Sequence, residues 1–194
     1  QACQRLLTLQ SAHSVDAYQP VGDLMVRFPG HSGASDYVRE LDLAAGVARV
    51  TYRRDGVTYT REVFASNDDN VLVVRLAADR PGALTCAVEL SRKADPECAL
   101  QPWAEGGRIG FVGEFCEKIR FAASAAVLQK GGRIVHATTL EAKGAEISVE
   151  GADEVLVLLC IVTDPYHTAG FRERCTALVD AGPPESAAAP ISSH

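Results

Sequence analysis

The sequence predicts a mainly β protein: an antiparallel β-sandwich with a short C-terminal helix. Three observations predict it. A tight Asp55-Gly56 turn joins two segments rich in β-branched and aromatic residues. Further strand-like segments recur at regular spacing between residues 71 and 162. The third observation is that no amphipathic helical pattern separates these segments, as a βαβ fold would require.

Length and composition fit a globular domain. The 194 residues suffice for one domain with or without a tail, and 47% hydrophobic with 23% charged residues excludes wholesale disorder. The net charge of −6, with no basic cluster, gives no indication of nucleic-acid binding. The longest apolar run, residues 155–162, is far shorter than the ~20 residues that span a bilayer. We therefore expect neither nucleic acid nor a membrane as a partner, and the localisation stays open.

The elements are predicted in order along the chain. Residues 1–17 form an N-terminal segment in which a leucine cluster allows a short helix, and residues 18–169 form the β-sandwich domain. A first strand spans 24–28, a loop rich in Gly and Ser covers 29–35, and the Asp55-Gly56 hairpin joins strands 47–53 and 57–64. Later strands are predicted at 71–76, 84–90, 108–112, 119–128, 133–140, 145–149 and 154–162.

The last part of the chain has a different pattern. Apolar residues at helical spacing predict a helix over 170–181, and Gly182 followed by two prolines ends it. The whole segment 170–194 is thus predicted as a helix and a linker tail. The chain opens without Met, so we expect it to be a piece of a longer protein.

The residues that could carry chemistry form no recognisable constellation. No nucleophile elbow, phosphate loop or clustered metal-ligand spacing occurs, so we expect no catalytic residue, no metal and no cofactor. The six cysteines have no CxxC spacing, which favours buried thiols over a disulfide framework or a metal site. An acid–base pair could come from five carboxylates, Asp23, Glu40, Asp42, Glu62 and Glu114. Arginines next to several of them in the sequence favour solvated strand faces instead.

Trp103 is the one candidate substrate-binding residue. It is the single tryptophan and lies in a predicted loop over 102–107. An exposed aromatic ring on a β-sandwich can stack on a sugar, whereas the alternative is an anchor that covers the edge of the core.

Several stretches together resemble one enzyme family. The first is Tyr18-Gln19-Pro20-Val21-Gly22-Asp23-Leu24, and the longest runs through residues 37–52, 56–66 and 71–76. Segments 119–123 and 152–159 follow in the same order. Together they resemble the N-terminal domain of family 95 glycoside hydrolases, the α-L-fucosidase family, over roughly residues 15–180.

The resemblance implies a fold and a role. It implies a β-sandwich of the supersandwich type, followed in the family by an (α/α)6 catalytic barrel that holds the acid–base machinery. No position here matches that machinery, so we expect a chain truncated at both ends that is inactive alone and packs against the barrel. The expected partners are this barrel, possible glycans, and a second copy through unpaired strand edges. The alternative is a free-standing carbohydrate-binding or interaction module.

Overall fold

The computed structural model describes residues 19–116, 118–164 and 170–182. Within them the chain forms twelve strands and one helix. The strands are β1 (Asp23–Arg27), β2 (Ser35–Asp42), β3 (Val47–Arg54), β4 (Val57–Ser66), β5 (Val71–Ala78), β6 (Leu84–Ser91), β7 (Cys98–Glu105), β8 (Arg108–Phe115), β9 (Arg120–Lys130), β10 (Arg133–Thr139), β11 (Gly144–Ala152) and β12 (Glu154–Asp164), and the helix is α1 (Phe171–Asp180).

The strands form two antiparallel sheets of unequal width. The smaller has the order β1-β6-β11-β10, and the larger has the order β2-β3-β4-β5-β12-β9-β8-β7. Their facing sides enclose one apolar core, with Val88 and Ile147 from the smaller sheet and Phe111 and Val157 from the larger sheet fully buried. The predicted mainly β sandwich is confirmed.

Helix α1 packs on the outer face of the larger sheet. Its Cys175 and Val179 are buried against Leu158, Cys160 and the alanines of β9. The Cys175 thiol donates to the Cys160 carbonyl at 3.4 Å. Short alanine side chains let the helix approach the sheet closely, so both faces of β9 are covered. The predicted C-terminal helix is confirmed within one residue at each end.

The Asp55-Gly56 turn is a two-residue hairpin loop. Arg54 and Val57 pair directly, and both turn residues have positive φ angles, 49° for Asp55 and 72° for Gly56. Two positive φ angles give the twist that matches paired strands. The central hairpin prediction is therefore confirmed at the level of the backbone.

Replacing Gly56 by alanine is expected to lower the free energy of unfolding by about 1 kcal/mol, because an L side chain is strained at this positive φ. Space is available for the new Cβ, whose nearest neighbour would be the Arg80 guanidinium at 3.7 Å, so the cost is that of the backbone. Urea denaturation measures it. The Asp55→Asn control should be nearly neutral, since Asn also accepts positive φ; equal losses in both variants would refute this explanation.

Two strands were not predicted. Strand β2 is exposed along its whole length and shows no regular alternation of apolar and polar residues. Strand β7 contains Trp103, so the prediction of a loop over residues 102–105 is wrong. Pro102 is tolerated there because β7 is an edge strand that pairs only with β8 among the described strands.

Some predictions fall outside the described residues. These are the N-terminal segment 1–17, including its helix, and the tail that follows Gly182. The described part of the chain contains no helix that is both long and apolar enough to cross a membrane.

Candidate functional site

A groove lies where the larger sheet extends beyond the smaller one. Strand β1 forms the edge of the smaller sheet, and past it the inner face of β2 is exposed and that of β3 and β4 is partly exposed. The groove has a volume of about 440 Å³. Leu24 and Val26 of β1 form one wall, and the apolar floor comes from Val50, Val63, Leu72 and Val74.

The uncovered part of the inner face carries exposed apolar side chains. Tyr37 and Leu41 of β2 are 62% and 64% exposed, although β2 pairs with β3 and is therefore part of the larger sheet. Contiguous exposed apolar residues on a soluble domain typically mark a contact surface. The groove is therefore the candidate functional site of this domain.

Strand β1 offers a free edge beside the groove. Among the described strands it pairs only with β6, and Met25 at its centre is half exposed. Arg27 forms ion pairs with Glu89 of β6 and Glu146 of β11, which fix β1 to the sheet. A fixed strand with an unpaired edge presents its backbone N–H and C=O groups to a further strand.

The charges that line the groove all have one sign. Arg39, Arg49 and Arg61 line it and no carboxylate does. Arg49 is neutralised by Glu62, whose Oε1 lies 2.9 Å from its Nη2. Neither Arg39 nor Arg61 has an ion-pair partner among the described residues. Within the described part of the chain, the groove therefore holds two cationic side chains that no carboxylate neutralises.

Aromatic side chains hold Arg61 in place. Its guanidinium lies over the Phe28 ring at 4.1 Å and over the Tyr52 ring at 4.9 Å. It also donates a hydrogen bond from Nη2 to the Tyr52 hydroxyl at 2.9 Å. Its buried Nε–H has no hydrogen-bond partner among the residues that the structure describes. Arg61 is thus ordered before any ligand arrives, which lowers the entropic cost of binding an anion.

His31 completes this aromatic cluster. Its Nδ1 lies 2.9 Å from the Tyr52 hydroxyl, and its ring centroid lies 4.6 Å from that of Tyr59. Burial lowers the pKa of His31, and the positive charges of Arg54 and Arg61 lower it further. The cluster therefore favours neutral His31.

A measurable pH dependence follows from His31. Because its folded pKa lies below the unfolded value of about 6.5, its stabilising contribution is present above that pH and is lost as the pH falls through the folded pKa. The wild-type chain should therefore lose more thermal stability between about pH 7.5 and pH 5 than His31→Gln, which keeps a polar partner for Tyr52. Parallel loss in both proteins would contradict the role assigned to His31.

The structure places Trp103 at the opposite edge of the larger sheet. It pairs with Gly110 of β8, and its indole packs so close that a Cβ at position 110 would stand 2.5 Å from the ring. The Arg172 guanidinium of α1 lies 4.7 Å above the ring. A sugar would therefore compete with Arg172 for the ring face that the guanidinium covers, and sugar contact at Trp103 stays a prediction.

A polar hollow lies on the same strand pair as Trp103. Its volume is about 520 Å³, and Gln101, Glu114 and Arg120 are among its lining residues. Gln101 precedes Trp103 by two residues, so both side chains point to the same face of β7.

The five candidate carboxylates lie on four strands, β1, β2, β4 and β8. Glu40 and Glu62 both contact Arg49, at 3.9 Å and 2.9 Å. Asp42 accepts the backbone N–H groups of the β2–β3 turn, Glu114 pairs with a neighbouring lysine, and Asp23 begins β1. Glu62 is only 7% exposed, so the interpretation as a solvated strand face is wrong for this residue. Within the described ranges, no group of three or more His, Cys, Asp or Glu residues is arranged to hold a metal.

Buried thiols were the expectation for the cysteines; among the described residues this is confirmed for Cys86, Cys160 and Cys175 and is wrong for Cys116. Cys86, Cys160 and Cys175 are buried, Cys98 is half-buried and Cys116 is exposed. Burial raises the pKa of Cys86 to about 11, so this thiol stays protonated and behaves as a small apolar side chain.

Comparison with solved structures finds a protein with a similar fold. A structure titled putative kojibiose phosphorylase from human microbiome superimposes with a TM-score of 0.54, over 81% of this chain and 24% of that chain. At 12% sequence identity, this match shows the fold alone.

The sequence comparisons identify the family. The model described as glycosyl hydrolase family 65, N-terminal domain, matches residues 1–168, and the chain belongs to this family. Alpha-L-fucosidase 2 of Arabidopsis thaliana is 38% identical over 98 residues, which is 48% of this chain and 12% of that protein. The predicted resemblance to the N-terminal domain of a glycoside hydrolase is confirmed, although the matching model is that of family 65 and not of the predicted family 95. The chain spans only a small part of the relatives it matches.

Proposed function

We propose that this chain is the non-catalytic N-terminal domain of a fucosidase-like glycoside hydrolase of family 95, where it packs against an (α/α)6 catalytic barrel and helps shape the substrate cleft. The partly exposed groove carries this proposal, because contiguous exposed apolar residues typically mark a surface that contacts another part of a protein. The 38% sequence identity to an α-L-fucosidase over 98 residues supports a fucosidase-like parent protein.

The contacts of the carboxylates support a non-catalytic role. Hydrolysis of a glycosidic bond needs one carboxyl group as acid and a second as base or nucleophile, facing a common cleft. Glu62 instead lies between Arg49 and Arg75 and serves as a structural counter-ion. Glu114 faces the polar hollow, but its partner there is Lys118 at 3.3 Å.

A substitution on the uncovered face tests the domain contact. Tyr37→Ala should have little effect on the isolated chain, because Tyr37 is 62% exposed there. In the full-length parent enzyme the same substitution should lower the free energy of unfolding by about 2 kcal/mol, the scale of an aromatic residue central to an interface. Val135→Ala, on edge strand β10 of the smaller sheet, is the matched control. Equal effects of Tyr37→Ala in both proteins would refute a contact through this face.

A second candidate function is carbohydrate binding at the polar hollow beside Trp103. The specific observation is a concave surface that combines an amide, a carboxylate and a guanidinium with an aromatic ring two residues away. Calorimetric titration of the chain with L-fucose and fucosylated oligosaccharides tests it. Binding that is lost in Trp103→Ala and kept in Tyr37→Ala supports this function, whereas absence of heat with all ligands removes it.

A further inference from the structure

We propose that the groove binds an extended polypeptide segment, which adds as a strand to the free edge of β1 and places a carboxylate against Arg61 or Arg39. This inference rests on the proposed function and deepens it, because it specifies the part of the catalytic domain that would enter the groove: an extended segment rather than one of the helices of the barrel.

The backbone of β1 specifies an extended occupant. On the side away from β6, β1 has no partner strand among the described residues. A helix has no free backbone groups along its length to pair with such an edge, whereas an added strand pairs with it directly. The ion pairs of Arg27 keep the edge in place, so it is ready for pairing.

The floor of the groove specifies alternating apolar side chains. A strand beside β1 directs every second side chain toward the inner face of the larger sheet. There it meets Val50, Val63 and Leu72, which are partly buried, and Val74, which is buried. An alternating segment would extend the sandwich core over this face and bury what is now exposed.

The arginines specify an acidic side chain and argue against a second copy. Arg61 of β4 is ordered by the Phe28 and Tyr52 rings. Arg39 is exposed on β2, two strands away, and lies in register with Arg61 across Val50 of β3. Two copies joined edge to edge at β1 would bring four uncompensated arginines to one interface, which opposes association. A segment with a carboxylate removes this repulsion and forms a charge-assisted hydrogen bond.

The test uses the 194-residue chain labelled with ¹⁵N and two synthetic peptides with blocked ends. Both alternate valine and threonine; one carries a central glutamate and the other a central lysine. We expect the glutamate peptide to shift the backbone amide signals of β1 and the Arg61 Nε–H signal. Its affinity should exceed that of the lysine peptide by about tenfold, the scale of one charge-assisted contact.

Two variants separate the groove from the rest of the surface. Arg39 is exposed, so Arg39→Gln is expected to fold and to reduce the difference between the peptides. Arg133→Gln on the opposite edge strand should leave the difference unchanged. Signals that move on β10 or not at all would overturn the proposal, as would equal affinity for both peptides. Concentration-dependent shifts without peptide, with a dimer in sedimentation, would also overturn it in favour of a second copy.

Discussion

Replacing Phe111 by alanine is expected to lower the free energy of unfolding by about 4 kcal/mol, because it removes a fully buried aromatic ring from the centre of the sandwich. The ring meets Phe121 edge to face at 6.2 Å, and alanines on β9 leave the space that it fills. Such a loss is a large part of the total stability of a domain of this size. Chemical denaturation followed by circular dichroism measures it.

The control for this substitution is Met25→Ala in the smaller sheet. Met25 is 50% exposed, so its truncation should cost less than about 1 kcal/mol. If Phe111→Ala were no more destabilising than Met25→Ala, the core would not lie between the two sheets as described.

Replacing Glu62 by glutamine is expected to cost about 2 kcal/mol, because it removes the negative charge between two poorly hydrated arginines. Glu62 Oε1 lies 2.9 Å from Arg49 Nη2, and Oε2 lies 3.8 Å from Arg75 Nη1. Arg75 in turn contacts Glu154 at 2.6 Å, so the charges alternate across β3, β4, β5 and β12. The effect should appear as a lower denaturation midpoint with an unchanged slope.

A solvent-exposed ion pair provides the comparison for Glu62. Glu150 pairs with Arg133 at 3.3 Å, with side chains that are 51% and 75% exposed, so Glu150→Gln should cost no more than about 0.5 kcal/mol. If Glu62→Gln lowered the free energy of unfolding as little as Glu150→Gln, the alternating charges would not contribute to stability as described.

The elements predicted correctly are those whose signal is local. The Asp55-Gly56 turn requires positive φ angles that few residue pairs accept, and residues 84–90 alternate apolar and polar side chains at period two. Helix α1 has apolar residues at helical spacing and a glycine that ends it. Such features depend on neighbours in the sequence and need no knowledge of the sheet order.

The features that escaped prediction depend on distant partners. The buried position of Glu62 follows from Arg49 and Arg75 on two neighbouring strands, so its own flanking residues suggested a solvated face. The groove arises because eight strands face four, and strand order is set by pairings far apart in the chain. A proline before Trp103 and the two glycines at positions 106 and 107 predict a loop, yet edge pairing with β8 makes Trp103 part of a strand.

The most direct test of the central claim is hydrolysis of 4-nitrophenyl α-L-fucoside, measured side by side for the full-length parent protein and for the 194-residue chain. We predict turnover by the parent protein and none above the buffer control by the chain, which would supply contact surface and no acid–base pair. Turnover by the purified chain would contradict a non-catalytic role. If the folded parent protein did not hydrolyse the fucoside, the fucosidase assignment would be contradicted.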